Sequence, residues 1–241
     1  MTDTDLRLGR WQDVLADVEC DALITDAPYS ARTHGAYADT QRYTKGWDRA
    51  SIDYGGLSES DVLEVVQSWA PRTRGWMVSI TDHVLAPAWA QAMEDAGRYV
   101  FSPIVWYAPG SRVRLSGDGP AQWSCWIVVS RPRTREYASW GALPGGYQHS
   151  GDRTGIVTGA KPLSLMRALV RDYSRPGDLV CDPFAGGATT LIAAQWEGRR
   201  SVGAEIDPDT HAAAMARMAG TRGVPPGQSS LFRMAPDGAG R

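Results

Sequence analysis

Residues 21–30 read DALITDAPYS, and within them Asp26, Pro28 and Tyr29 are the types that could do chemistry. Ala22, Leu23 and Ile24 run up to Asp26, so the carboxylate ends a buried strand. An amine on an aromatic ring is a weak nucleophile, because its lone pair is delocalised. A carboxylate and a backbone carbonyl that accept its hydrogens assist it as the nitrogen rehybridises. Asp26 and the carbonyl of Ala27 supply that pair. Pro28 stiffens the turn, and Tyr29 offers a flat face on which a ring stacks. The pattern suits an exocyclic amine on a nucleobase swung out of its stack. An ordinary strand-ending turn with a capping Asp uses the same residues, so the tetrapeptide needs a partner motif.

Residues 178–190, DLVCDPFAGGATT, provide one. A strand, a Gly-rich turn and a helix start make a crevice at the carboxyl end of a parallel sheet. Gly186 and Gly187 let a ligand approach the backbone, with helix N-terminal amides nearby. Glu205 ends the next strand, 23 residues after Asp182. Its two oxygens can accept from both hydroxyls of a ribose. The turn is not G-x-G-x-x-G, so a nucleoside-containing ligand fits better than a dinucleotide. Many Gly-rich turns are plain connections; the Glu205 partner is what raises this one above them.

These residues need elements to position them. Short apolar runs alternate with helical patterns, as in a parallel sheet covered by helices. The spacing predicts a strand at 5–9, a helix over 11–18, a strand at 21–25 and a helix over 58–70. Strands at 75–80, 99–106 and 123–129 follow, with a helix over 84–95. A helix over 161–173 then leads into the strand–turn–helix of 178–198, the strand SVGAEID and a helix from Pro208 to Gly220. Residues 30–56 lack a period and read as a long loop, and 131–160 as a short irregular insertion. One catalytic domain over 1–220 and a flexible tail over 221–241 is the expected organisation.

Composition agrees with that size. The chain has 241 residues, 43% hydrophobic and 22% charged, enough for one α/β domain. The start, MTDTDLRLGR, is polar, and no apolar run is long enough to cross a bilayer. The expectation is a cytoplasmic protein with no membrane association. Cys20, Cys125 and Cys181 lie far apart and the 4 histidines are scattered, so no metal site is expected. Net charge is −2, but residues 1–97 carry −8 and residues 98–200 carry +6. The basic stretch includes Arg112, Arg114, Arg131, Arg133, Arg135 and Arg153, in segments that read as loops. Such loops suit a phosphate backbone, although a solvated surface has the same composition.

Taken together, DAPY, DPFAGGATT and GAEID resemble the S-adenosylmethionine-dependent DNA amino-methyltransferases. In that family an Asp/Asn/Ser-Pro-Pro-aromatic motif is catalytic and an Asp-Pro-Phe-x-Gly-x-Gly type motif binds cofactor. Here the catalytic motif comes first, and the cofactor motif follows the helix AKPLSLMRALV, which resembles the circularly permuted order of the β class. The resemblance implies a Rossmann-like fold: a mostly parallel seven-stranded sheet with helices on both faces. It implies that Asp26 and Ala27 hold the target amine, with Pro28 shaping the turn and Tyr29 stacked on the base. Asp182, Phe184, Gly186, Gly187 and Thr189 would line the methionine and ribose region of S-adenosylmethionine. Glu205 would bind the ribose, Ile206 would pack on the adenine, and Lys161 and Pro162 would border the methionine end.

The chain departs from the family pattern in three places. Ala27 replaces the first proline, Arg10 stands where an Asp often follows the first strand, and Ala188 replaces a second glycine. Asp at the first catalytic position implies adenine N6; cytosine N4 is the alternative. The partners expected are DNA and a second copy of the chain. Gln228 to Phe232 in the tail also resembles the pentapeptide that docks on the replication sliding clamp; an inert tail is the alternative. Protein-glutamine and RNA methyltransferases share the catalytic motif but place it after the cofactor motif. A fold-keeping module that binds DNA without catalysis is the reading from another class.

Overall fold

Strands β2 (Ala22–Asp26) and β3 (Met77–Thr81) are buried along nearly their whole length, which requires cover on both faces. That cover defines the molecule. The computed structural model describes residues 3–33, 55–109, 120, 122–134, 137, 140–149 and 160–221. The chain begins with β1 (Thr4–Leu8) and α1 (Trp11–Val14), and continues after β2 with α2 (Glu59–Trp69). β3, α3 (Ala86–Asp95), β4 (Tyr99–Val100), β5 (Ile104–Tyr107), β6 (Ser124–Arg131) and β7 (Gly146–Gln148) come next. The last part is α4 (Leu163–Tyr173), β8 (Leu179–Asp182), α5 (Thr189–Trp196), β9 (Arg200–Glu205) and α6 (Pro208–Thr221).

Among the described residues nine strands form one sheet, in the order β1-β9-β8-β2-β3-β6-β5-β7, with β4 beside β6. The seven strands of four residues or more match the seven expected; β4 and β7 add two and three residues. β1, β9, β8, β2 and β3 are mutually parallel, and β6 is antiparallel to both β3 and β5. Side chains alternate across β2. Leu23 packs with Trp11, Val66, Trp69 and Trp89 on one face, while Ala22 and Ile24 pack with Leu165, Leu169 and Ala193 on the other. Helices α1 to α3 thus cover one face, and α4 and α5 the other. Leu6, Leu191, Ala214 and Met218 close the α6 side.

The sequence expectations meet this architecture with local differences. The helix expected over 11–18 is one turn, and arginines satisfy the carbonyls at its end. Arg7 donates to Val14 O at 2.7 Å, and Arg72 donates to Leu15 O at 2.8 Å. The strand expected at 99–106 breaks into β4 and β5 at Pro103, which has no N–H to give a ladder. The stretch 131–160, read as irregular, contains β7, and Tyr147 and Trp140 from it donate to Asp172 of α4 at 2.7 Å each. The long loop at 34–54, Arg112, Arg114, Arg135, Arg153 and the tail motif Gln228–Phe232 lie outside the described residues. Among the described residues no helix is long and apolar enough to cross a membrane.

Candidate functional site

From β8 the chain crosses to β9 on one side, and from β2 it crosses to β3 on the other. α5, after β8, covers one face, and α2, after β2, covers the other. The sheet order therefore reverses between β8 and β2, and a crevice opens beyond their carboxyl ends. Asp26 ends β2 and Asp182 ends β8, so both carboxylates stand at that reversal. Glu205 ends β9 one strand further along. Sheet topology brings together residues that are up to 179 positions apart in the chain.

Asp26 is held by a bidentate ion pair. Lys161 Nζ donates to Oδ1 at 2.7 Å and to Oδ2 at 2.8 Å. The Lys161 side chain is 8% exposed and that of Asp26 22% exposed, so the carboxylate keeps a face towards the crevice. Burial pushes Asp26 above the ordinary carboxylate range, and the charge and hydrogen bonds of Lys161 oppose that rise. The ammonium also lies 4.7 Å from the centroid of the Tyr29 ring and 6.0 Å from that of Trp106. Tyr29 Oη donates to Cys125 Sγ at 3.2 Å, which fixes its ring beside Asp26. Ala27 is buried and packs into the α1–α3 side of the core. Lys161, expected only to border a cofactor's methionine end, is thus seated on the candidate catalytic carboxylate.

The segment beyond Tyr29 is anchored by Asp82, which sequence reading passed over. Its buried carboxylate accepts from Ser30 N at 2.9 Å, Ser30 Oγ at 2.6 Å and Thr33 Oγ1 at 2.5 Å. The other oxygen accepts from Val84 N at 3.0 Å and Leu85 N at 2.9 Å. Burial alone would raise this carboxyl, but the hydrogen bonds from Ser30, Thr33 and Leu85 bring it below its ordinary value. An acidic residue just past β3 and just ahead of α3 was the available signal. Its partner, 52 residues upstream, was not.

The turn after β8 is tied on three sides. Asp182, 1% exposed, accepts from Thr25 Oγ1 at 2.7 Å and Phe184 N at 3.0 Å. Burial pushes its carboxyl up to about 6; hydrogen bonds from Thr190, Thr25 and Phe184 pull it down, and the negative charge of Asp26 pushes it up. From α6, Arg217 donates to Gly187 O at 2.6 Å and Thr189 Oγ1 at 2.9 Å. Ala185 N donates to Ala204 O at 2.9 Å, which draws the turn across β9. That crossing needs Gly203, where a Cβ would lie 2.8 Å from Asp182 O and 2.9 Å from Ala185 Cβ. Gly186 has φ +49°, and a Cβ there would point into open space, so the turn presents bare backbone to the crevice. Ala188 also takes the left-handed conformation, with φ 60° and ψ 28°.

On the far side of that turn, burial raises the carboxyl of Glu205 and the amides of Asp207, Ile206 and Gly186 oppose the rise. Ile206 is 61% exposed and Leu8, paired with Glu205 across β1 and β9, is 47% exposed. Exposed Ile206 sits next in sequence to the Glu205 acceptor, so an apolar side chain and carboxylate oxygens stand side by side, as a nucleoside needs for its ring and its ribose. Pro162 caps the start of α4, next to Lys161. Arg10 begins α1 at the same edge, with no side-chain cap. Arg131 and Arg133, considered for phosphate contact, instead stand at the opposite edge of the sheet. β6 is antiparallel to β3, and Ser130 pairs with Met77 at the start of that strand. Arg131 lies over Tyr99 at 4.7 Å and over Tyr137 at 5.5 Å, and Arg133 over Tyr99 at 5.7 Å.

Residues 130–216 match the model of a DNA methylase family. The Type II methyltransferase M.Cfr9I of Citrobacter freundii is 28% identical over 144 residues, covering 54% of this chain and 48% of that protein. The matched part therefore spans about half the length of this curated relative. The crystal structure of the M1.HpyAVI–SAM complex superposes with a TM-score of 0.66 at 20% identity, covering 89% of this chain and 98% of that one. The PvuII DNA methyltransferase, described as cytosine-N4-specific, superposes with a TM-score of 0.65 at 15% identity, covering 95% and 89%. The fold is the one these methyltransferases share.

Proposed function

We propose that this chain, with its DNA methylase match at residues 130–216, transfers a methyl group from S-adenosylmethionine to the exocyclic amine of a DNA base, adenine N6. The observation that carries this reading is the placement of Asp26 and the Gly186 turn on either side of one sheet reversal. That placement supports reading Asp26 as the amine acceptor and the Gly186 turn as part of a nucleoside cradle.

S-adenosylmethionine, when bound, supplies a methyl carbon made electrophilic by a sulfonium. The residues present fit it. Glu205 offers acceptors for a ribose, exposed Ile206 offers an apolar side chain beside it, and Gly186 leaves backbone open to the ligand. Phe184, Gly187 and Thr189 hold that turn in shape, and Asp182 ties it to β2 through Thr25. On the other side, Asp26 and the carbonyl of Ala27 accept hydrogens from the target amine. Tyr29 stacks on the base, with Pro28 setting the turn between them. Positioning of the two reactants supplies much of the rate. Residues 1–220 are read as the catalytic unit and DNA as its partner. Adenine is chosen because the acceptor is Asp; the similarity to a cytosine-N4-specific enzyme is the observation on the other side.

The test is to incubate the protein with S-adenosylmethionine and unmethylated DNA, digest to nucleosides and read them by mass spectrometry, with Asp26→Ala alongside. N6-methyladenine that disappears in the variant is the expected result. N4-methylcytosine would keep the mechanism and overturn the base. No methylated base, with cofactor still bound, would overturn the reaction.

A further inference from the structure

Lys161 lies 135 residues from Asp26 in sequence and grips both of its oxygens. A surface ion pair of this kind would contribute little. Here the ammonium is nearly enclosed, at 8% exposed, and lies against two aromatic rings that favour a cation. A carboxylate has about four lone-pair sites, so two contacts from Lys161 leave acceptor capacity on the face turned to the crevice.

We propose that Lys161 is a positioning residue for the methyl transfer: it keeps Asp26 ionised and aims its free lone pairs at the target amine. A protonated Asp26 would turn one of its oxygens into a donor and could not receive the N–H in the same way. The inference rests on the function proposed above and adds what makes its acceptor available.

Several charged and titratable groups face Asp26. Lys161 approaches from just ahead of α4, Asp182 from β8 and Cys125 from β6, with the Tyr29 ring beside the Lys161 ammonium. Asp182 is negative when ionised and favours a protonated Asp26. Burial does the same. Lys161 is the cation among these groups. Its removal therefore raises the midpoint of Asp26 and moves the acid limb of the rate to higher pH.

The test uses the full chain and two readouts. The Asp26 carboxyl is titrated by carbon-13 NMR in wild type, Lys161→Met and Lys161→Arg. In parallel, kcat is followed against pH, and cofactor affinity is measured by calorimetry. In Lys161→Met the Asp26 midpoint is expected to rise by at least about one pH unit. Below both midpoints kcat falls about tenfold for each unit of that rise and recovers at high pH. Lys161→Arg is expected to restore both, with cofactor affinity held within about threefold. An Asp26 midpoint and an acid limb both unchanged in folded Lys161→Met would overturn the proposal, as would a loss confined to cofactor affinity. Should Lys161→Met fail to fold, Asp26→Asn gives the reciprocal measurement. The Lys161 ammonium must then titrate at lower pH, and an unchanged value overturns the pairing. Wild-type protein that methylates nothing would sink the function; wild-type activity matched by Lys161→Met at every pH would sink only the role of Lys161.

Discussion

Asp182 is the residue whose environment makes the clearest demand on solution behaviour. Its carboxyl is buried and raised from the ordinary 3.8 to about 6, so the folded protein prefers it protonated. A group raised in the folded state contributes its stability fully below its unfolded value and loses it as pH rises through the folded one. For Asp182 that window runs from pH 3.8 to about 6, and the shift corresponds to about 3 kcal/mol. Asp182→Asn keeps an oxygen for Thr25 Oγ1 and Phe184 N without a charge. Relative to wild type, the variant should gain up to about 3 kcal/mol as pH rises from 4 to 7, read by urea unfolding at both ends. A stability difference that is flat across the window would show that water reaches this carboxylate.

Ala188 is where an element carries strain. It opens α5 in a left-handed conformation, which costs an L-residue about 1 kcal/mol, and its methyl is fully buried. Ala188→Gly relieves the strain but gives up a buried methyl of similar value, so stability should stay within about 1 kcal/mol. Ala188→Val adds a β-branched side chain to the same backbone and should cost about 3 kcal/mol or more in urea unfolding, with weaker cofactor binding. The strand ends and their acidic residues were legible in the sequence because apolar runs stop at Asp26, Asp182 and Glu205. Other features were not, because each needs a partner that only tertiary structure brings near. The end of α1 is satisfied by Arg72, 57 residues from the carbonyl it binds. The short β7 exists because β5 offers it an edge. The seat of Lys161 on Asp26 depends on the order of strands, which spacing does not encode.

At the scale of the whole molecule the two edges of the sheet differ in kind. The carboxyl-terminal edge gathers Asp26, Asp82, Asp182 and Glu205. The opposite edge is an aromatic and arginine assembly in which Trp76 packs against Tyr137, Trp140 and Tyr173. There buried Arg98 bonds Ser130 Oγ at 2.9 Å and Thr73 O at 3.3 Å, and burial lowers its guanidinium to about 10. Arg131 and Arg133, two members of the basic stretch, thus pack on aromatic rings at this edge. Arg131→Ala with Arg133→Ala should cost about 0.5–2 kcal/mol of stability through lost cation–π contacts and leave kcat and KM for DNA within about twofold. A tenfold rise in KM would move the DNA face to this edge. One feature of the other edge reaches furthest. The Asp26–Tyr29 tetrapeptide is fixed by the β2 ladder on one side and, on the other, by three hydrogen bonds that Ser30 and Thr33 donate to Asp82, with a proline between. Its conformational entropy is surrendered once, when the chain folds, and not again at each encounter with substrate. In the proposed reaction, the acceptor offered to the base is therefore already rigid before substrate arrives.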